Sequence, residues 1–245
     1  MGKRQEIRAR RRRTQIRKRV FTILLVTAGA LFITFVLILP SLKGPDLGTI
    51  VDITPAARTA PVDWTSLGDP EAPVKLDVWE DFQCSGCLYY SQDIEPQIFQ
   101  AYVETGKVYY TFHMYPFIDG GLAGGESQQS ANAAMCAAAQ GRFWDYHDML
   151  FANWLGENAG SFTDPRLGAF AERIGLDTTA FNTCFDENVY KTQIAEDKRT
   201  GDQMGVPPTP GIFVDGQAVV SSAGSGYVPS FEDIAAAIEA GLAGR

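Results

Sequence analysis

Two cysteines three positions apart sit where an alternating segment hands over to a helical one. Residues 74–82 (VKLDVWEDF) alternate as a strand does, and Leu88, Ile94, Ile98, Phe99 and Tyr102 recur at helical spacing after them. Cys84-Ser85-Gly86-Cys87 lies at the junction. Residues 107–114, rich in β-branched and aromatic side chains, supply a second strand, so the chain commits early to a strand–helix–strand unit. A thiol at a helix start meets free N–H groups and the positive end of the dipole, which favour its thiolate. A second thiol one turn on is within reach of a disulfide, so the pair can carry two electrons.

What precedes this unit bears on where it works. Residues 1–19 hold ten Lys/Arg and one Glu, and residues 40–245 hold eleven Lys/Arg and twenty-eight Asp/Glu, a net of −17. Such an acidic body repels phosphates and argues against nucleic acid as a partner. Between the two lie residues 20–39, twenty positions without a charge. At 1.5 Å per residue they span about 30 Å, the thickness of a bilayer core. The Arg/Lys excess on the N-terminal side predicts a cytoplasmic tail at 1–19 and a single transmembrane helix at 20–39 in contact with membrane lipid. A linker at 40–60 then leads to a domain at 61–245 on the extracytoplasmic side. A cleaved signal peptide is the competing reading, though no A-x-A site follows the span.

Beyond the second strand, glycines at 120, 121, 124 and 125 punctuate a loop, and helical patterns run over residues 128–140, 143–151, 165–174 and 178–204. Pro96 interrupts the helix after the cysteines. Residues 211–214 and 218–221 read as strands joined by Asp215-Gly216, a hairpin signal, and residues 231–242 as a last amphipathic helix. Thr209-Pro210 stands immediately before the first of these strands. A cis proline there would present the backbone of Thr209 to an extended substrate.

Four stretches together carry a family resemblance: Gly68-Asp69-Pro70-Glu71-Ala72-Pro73-Val74, Glu80-Asp81-Phe82-Gln83-Cys84-Ser85-Gly86-Cys87, Gly141-Arg142-Phe143-Trp144-Asp145-Tyr146-His147-Asp148 and Thr209-Pro210-Gly211-Ile212-Phe213-Val214-Asp215-Gly216. In this order they resemble the DsbA-like branch of the thioredoxin superfamily, the membrane-anchored thiol-disulfide oxidoreductases of bacterial envelopes, over residues 64–243. The resemblance implies an α/β thioredoxin fold with an all-helical insertion at about 119–204. It makes Cys84 the attacking thiol, Cys87 the resolving thiol, Pro210 the cis proline and Thr209 a substrate-binding residue. It implies neither a cofactor beyond the cysteines nor a metal.

Relatives often place an acid six positions before the first cysteine to relay a proton to the resolving thiol. Val78 stands there, and Glu80, on the same face of the strand, is the candidate substitute. Some relatives also carry a His between the two cysteines, where this chain has Ser85-Gly86. Four cysteines on zinc would call for a second Cys-x-x-Cys. Cys136 and Cys184 are instead single and read as a structural disulfide, with two separate buried thiols as the alternative. His147 reads as a packed helix residue, and nothing in the sequence places His113.

The function expected is a monomeric dithiol oxidase for exported unfolded or reduced proteins, recycled by a quinone-linked membrane oxidoreductase. A reductase or isomerase of the same fold and a membrane-tethered binding or chaperone module are the alternatives.

Overall fold

The computed structural model describes residues 19–35, 47–120, 124–226 and 228–244. They fall into two compact units divided after residue 46. In the first unit residues 19–35 are helical, with apolar side chains such as Phe21, Leu31 and Phe32 exposed. No helix among the described residues is long and apolar enough to cross a membrane. Most of the basic tail, the last four residues of the expected 20–39 span and the start of the 40–60 linker lie outside the described residues.

The second unit is built on a six-stranded sheet. Its strands are β1 (Val62–Asp63), β2 (Ser66–Leu67), β3 (Val74–Glu80), β4 (Val108–Met114), β5 (Gly211–Val214) and β6 (Gln217–Ala218), in the order β1-β2-β4-β3-β5-β6. The alternation in residues 74–82 has its cause here. β3 is central, parallel to β4 and antiparallel to β5, and Val74, Leu76 and Val78 are fully buried between layers. The short β1–β2 hairpin extends the sheet past β4 in a segment whose pattern was too brief to read as strands. Asp215 and Gly216 both have positive φ, 48° and 77°, the mirror-image turn that Asp-Gly favours. The β6 strand ends at Ala218, three residues sooner than its sequence pattern suggests.

Among the described residues, five helices lie between β4 and β5: α3 (Glu126–Ala138), α4 (Phe143–Ala152), α5 (Asp164–Arg173), α6 (Thr178–Asp186) and α7 (Lys191–Met204). The pattern over 178–204 is thus two helices. The break comes at Asn188, which has φ 51°, a left-handed conformation asparagine tolerates better than most residues. The final helix, α8 (Phe231–Ala243), is held at its start by a capping box of Ser230 and Asp233. It packs Ile234 and Ile238 into the core against β3 and β5.

The helix after the cysteines deviates most from regularity. It runs as α1 (Ser85–Tyr89), a π-turn at Tyr90–Ile94, α2 (Glu95–Ile98) and a second π-turn at Phe99–Val103. Pro96 sits in the first turn of α2, where its missing N–H costs least, and the widened turns on either side absorb its ring.

The second half of the expected linker is part of the folded unit. The Val51 N–H donates to Asn153 Oδ1 at 2.7 Å, Arg166 holds the Thr49 carbonyl, and Arg58 forms two 2.8 Å hydrogen bonds to Asp148. Residues 47–60 lack a periodic apolar face because they are strapped to the insertion by polar contacts, with only Ile50, Ile53 and Ala60 packed on the core.

Candidate active site

The turn from β3 into α1 is held by its own side chains. Asp81, buried, accepts hydrogen bonds from the N–H groups of Gln83 (2.9 Å), Phe117 (2.8 Å) and Ile118 (3.0 Å). Gln83, fully buried, donates to Ser127 Oγ at 2.8 Å and accepts from the Asn158 N–H at 2.6 Å, while its carbonyl accepts from Trp154 Nε1 at 2.8 Å. Asp81 and Gln83 thus lock the cysteine turn to the helical insertion.

Cys84 caps α1 in an extended conformation, and both Cys84 and Cys87 are free thiols. The Cys87 thiol, hydrogen-bonded to the Cys84 sulfur, does most to lower the Cys84 pKa. Contacts from Thr209 and the N–H groups of Cys87 and Gly86 add to it, and the pKa falls from 9.0 to about 6 against the cost of burial. Burial pushes Cys87 the other way, and its hydrogen bond to Cys84 and the nearby Glu80 charge add to the rise. Two identical side chains one turn apart are thereby separated into a thiolate and a thiol.

The Thr209–Pro210 peptide is cis, and the Thr209 carbonyl accepts from Cys84 Sγ at 3.3 Å. That close approach needs Gly86. A Cβ there would lie 3.0 Å from the Thr209 oxygen and 3.4 Å from the Pro210 ring. Beside this contact a cavity of about 340 Å³ is lined by Pro207, Thr209, Pro210, Val220 and Val228. Thr209 itself is 6 % exposed, and Val220 beyond β6 is 73 % exposed.

Behind Cys87 lies a second group of residues. Glu80 ends β3 at 1 % exposure, and neither of its carboxylate oxygens has a hydrogen-bond partner. Burial, then the charge of Glu95, raise its pKa well above the usual carboxylate range, and the Cys87 thiol alongside opposes the rise. Glu95, the first residue of α2, accepts from Tyr110 Oη at 2.9 Å and lies 3.9 Å from His147 Nε2. Its pKa is raised chiefly by burial. Ligand atoms of Glu80, Glu95 and His147 all lie within 4.8 Å of one another. Raised carboxyl pKa values keep protons on these two acids.

The structure therefore brings Cys84, Cys87, Thr209, Pro210 and Glu80 into one place. Cys136 on α3 is bonded to Cys184 on α6, with Cα atoms 5.8 Å apart, in the insertion. His113 stacks on Trp79 with ring centres 4.2 Å apart, between Asp77 at 2.9 Å and Asp197 at 3.6 Å, and so ties α7 to the sheet. Glu95 was missed because a Glu beside Pro96 reads as a helix start, and nothing local marks it as buried. His147 sits among Phe82, Phe112 and Phe151, as its helix face suggests, but its contact with Glu95 spans fifty-two positions of sequence.

A family model described as Thioredoxin matches residues 61–240. The chain belongs to the thioredoxin family. Its curated relatives include the Na(+)/H(+) antiporter NhaA 3 of Salinispora tropica, 31 % identical over 150 residues, a match to 61 % of this chain and 21 % of that protein. The chain thus spans about a fifth of the length of the antiporter relatives it matches. They also include the disulfide bond formation protein D of Bacillus subtilis, 25 % identical over 194 residues, covering 78 % of this chain and 81 % of that one. Oxidised BdbD from Bacillus subtilis superposes with a TM-score of 0.62 at 22 % identity, over 80 % of this chain and all of that one. DsbA from Chlamydia trachomatis gives 0.60 at 22 %, over 77 % and 96 %. These superpositions show the shared fold, a thioredoxin-like α/β unit with a helical insertion.

Proposed function

We propose that this thioredoxin-family chain is a thiol-disulfide oxidoreductase working as a dithiol oxidase on exported proteins. The observation that carries this reading is the division between Cys84, held near a pKa of about 6, and buried Cys87, held well above 9.0. A substrate thiolate attacks Sγ of Cys84 in the disulfide form. The Cys84–Cys87 bond breaks, its electron pair leaves on Cys87, and Cys87 takes a proton. The substrate's second thiolate then attacks the substrate sulfur of the mixed disulfide and expels Cys84 as a stable thiolate. The substrate is oxidised by two electrons and the cysteine pair reduced by two. Extended substrate lies against Thr209 and Pro210 with side chains in the adjoining cavity, and Glu80 supplies the proton to Cys87.

The relative named for disulfide bond formation supports this direction. Twenty uncharged residues after a basic tail support a single-pass anchor at 20–39, with the catalytic unit outside the cytoplasm and a quinone-linked membrane oxidoreductase as the recycling partner. Equilibrating the reduced and disulfide forms against glutathione tests the direction. A potential well above that of thioredoxin is expected, and one near −270 mV, on the order of a dedicated reductant, overturns the oxidase reading.

A further inference from the structure

The acids behind Cys87 do not stop at Glu80. From Glu95 the polar groups continue to His147, whose Nδ1 lies 3.0 Å from Asp148 Oδ1, and Asp148 is paired with Arg58 at 2.8 Å. His147 is fully buried, and its Nε2, facing Glu95, has no hydrogen-bond partner. The Asp148 side chain is 23 % exposed. Arg58, Glu95, Phe99, Asp148 and Phe151 line a surface cavity of about 370 Å³ that shares no residue with the cavity at Thr209–Pro210. The inner end of this chain of groups lies beside Cys87, close enough for the Glu80 charge to raise its pKa, and the outer end reaches solvent away from the substrate edge.

Resting on the oxidoreductase reading above, we propose that Glu95 and His147 extend the Glu80 relay into a proton conduit from Cys87 to the Arg58–Asp148 cavity, open to solvent while a substrate covers Cys84. When the Cys84–Cys87 bond breaks, Cys87 leaves with the electron pair and takes the proton of the Glu80 carboxyl. Glu80 is reprotonated by Glu95 or by His147 Nε2, and these draw a proton from water in the cavity past Asp148. On reoxidation the proton returns the same way. Burial keeps both carboxyl groups protonated more readily than usual, which suits them to passing a proton rather than holding a charge. The other titratable groups facing the conduit are Tyr90, whose buried hydroxyl has no partner, and Tyr110, which donates to Glu95. Both phenols have pKa values raised by burial, so they remain neutral donors.

The test compares two reductants of the oxidised full-length protein by stopped flow: dithiothreitol, which leaves the Cys84 face open to water, and a dithiol peptide long enough to lie along Thr209. Glu95→Gln, His147→Gln and Asp148→Asn are expected to slow reduction by the peptide by about tenfold or more, to slow dithiothreitol much less, and to shift the pH profile only with the peptide. Formate, which fits the space left by Glu95→Ala, restores the peptide rate, a recovery that a misfolded variant does not show. Equal losses with both reductants, or unchanged pH profiles, overturn the conduit and leave the oxidoreductase reading standing. Exchange that persists in Cys84→Ser overturns the reading beneath it.

Discussion

Cys84–Cys87 and Cys136–Cys184 are the same two side chains placed in opposite circumstances. The first pair sits on one helical turn, under the Thr209 carbonyl and beside Glu80, and is present as free thiols. The second joins α3 to α6 across forty-eight positions and is bonded. A bond across three positions removes little freedom from the unfolded chain, whereas one across forty-eight removes a great deal, about 4 kcal/mol on loop-entropy arithmetic. Spacing decides which bond is a staple. The charge environment decides which sulfurs can exchange.

The comparison predicts a double dissociation. Cys84→Ser abolishes disulfide exchange with model peptides and costs the reduced protein only the roughly 1 kcal/mol that the thiolate contributes at pH 7, a fall in Tm of a few degrees. Cys136→Ala with Cys184→Ala leaves the alkylation rate of Cys84 unchanged and lowers stability by about 4 kcal/mol, a fall in Tm of roughly 10 °C for a unit of this size. A stable double variant with impaired exchange breaks the distinction between the two pairs.

A smaller effect concerns the resting charge of Cys84. Its pKa is depressed from 9.0 to about 6 in the folded, reduced protein. The reduced form therefore gains stability that is fully present above pH 9.0, falls as the pH drops, and is lost below about 6. At pH 7 the gain is on the order of 1 kcal/mol, which for a two-electron couple makes the disulfide more oxidising by on the order of 20–30 mV. Iodoacetamide labelling at increasing pH is expected to reach half its maximal rate near pH 6 at Cys84, with Cys87 silent throughout. A midpoint near 9 removes the environmental separation of the two sulfurs.

The smallest predicted effect probes the contact that brings Thr209 to the sulfur. Gly86→Ala forces the Thr209 carbonyl or the Pro210 ring to retreat by a few tenths of an ångström. Because that carbonyl accepts from the Cys84 thiol and so favours its protonated form, its retreat is expected to lower the Cys84 pKa slightly, read from the same labelling curve. No shift with the fold intact would mean that the Thr209 contact has no part in setting the Cys84 pKa.

Much of this site is legible in the chain because its signals are local. The strand alternation through Val78, the hairpin at Asp215-Gly216 and the placement of Cys84 and Cys87 at a helix start each follow from neighbouring residues and backbone preference. Pro96 announces an irregular helix, though not the π-turns that accommodate it. Boundaries suffer where one residue overrides a periodic run, as Asn188 does between α6 and α7. The polar strap at residues 47–60 escaped notice because its partners, Asn153, Asp148 and Arg166, lie about a hundred positions away.

By itself the sequence determined the βα junction, the cysteine spacing, the acidic body and the uncharged run at 20–39, since each depends on composition or on contacts within a few residues. Only the tertiary structure decided that Gly86 lets the Thr209 carbonyl reach Cys84, that Asp81 and Gln83 lock the turn to the insertion, and that Glu80, Glu95 and His147 meet behind Cys87. These depend on packing between β3, α2 and α4, elements far apart in the chain. The free energy of a buried charge is set by what surrounds it, and that appears only when the chain has closed.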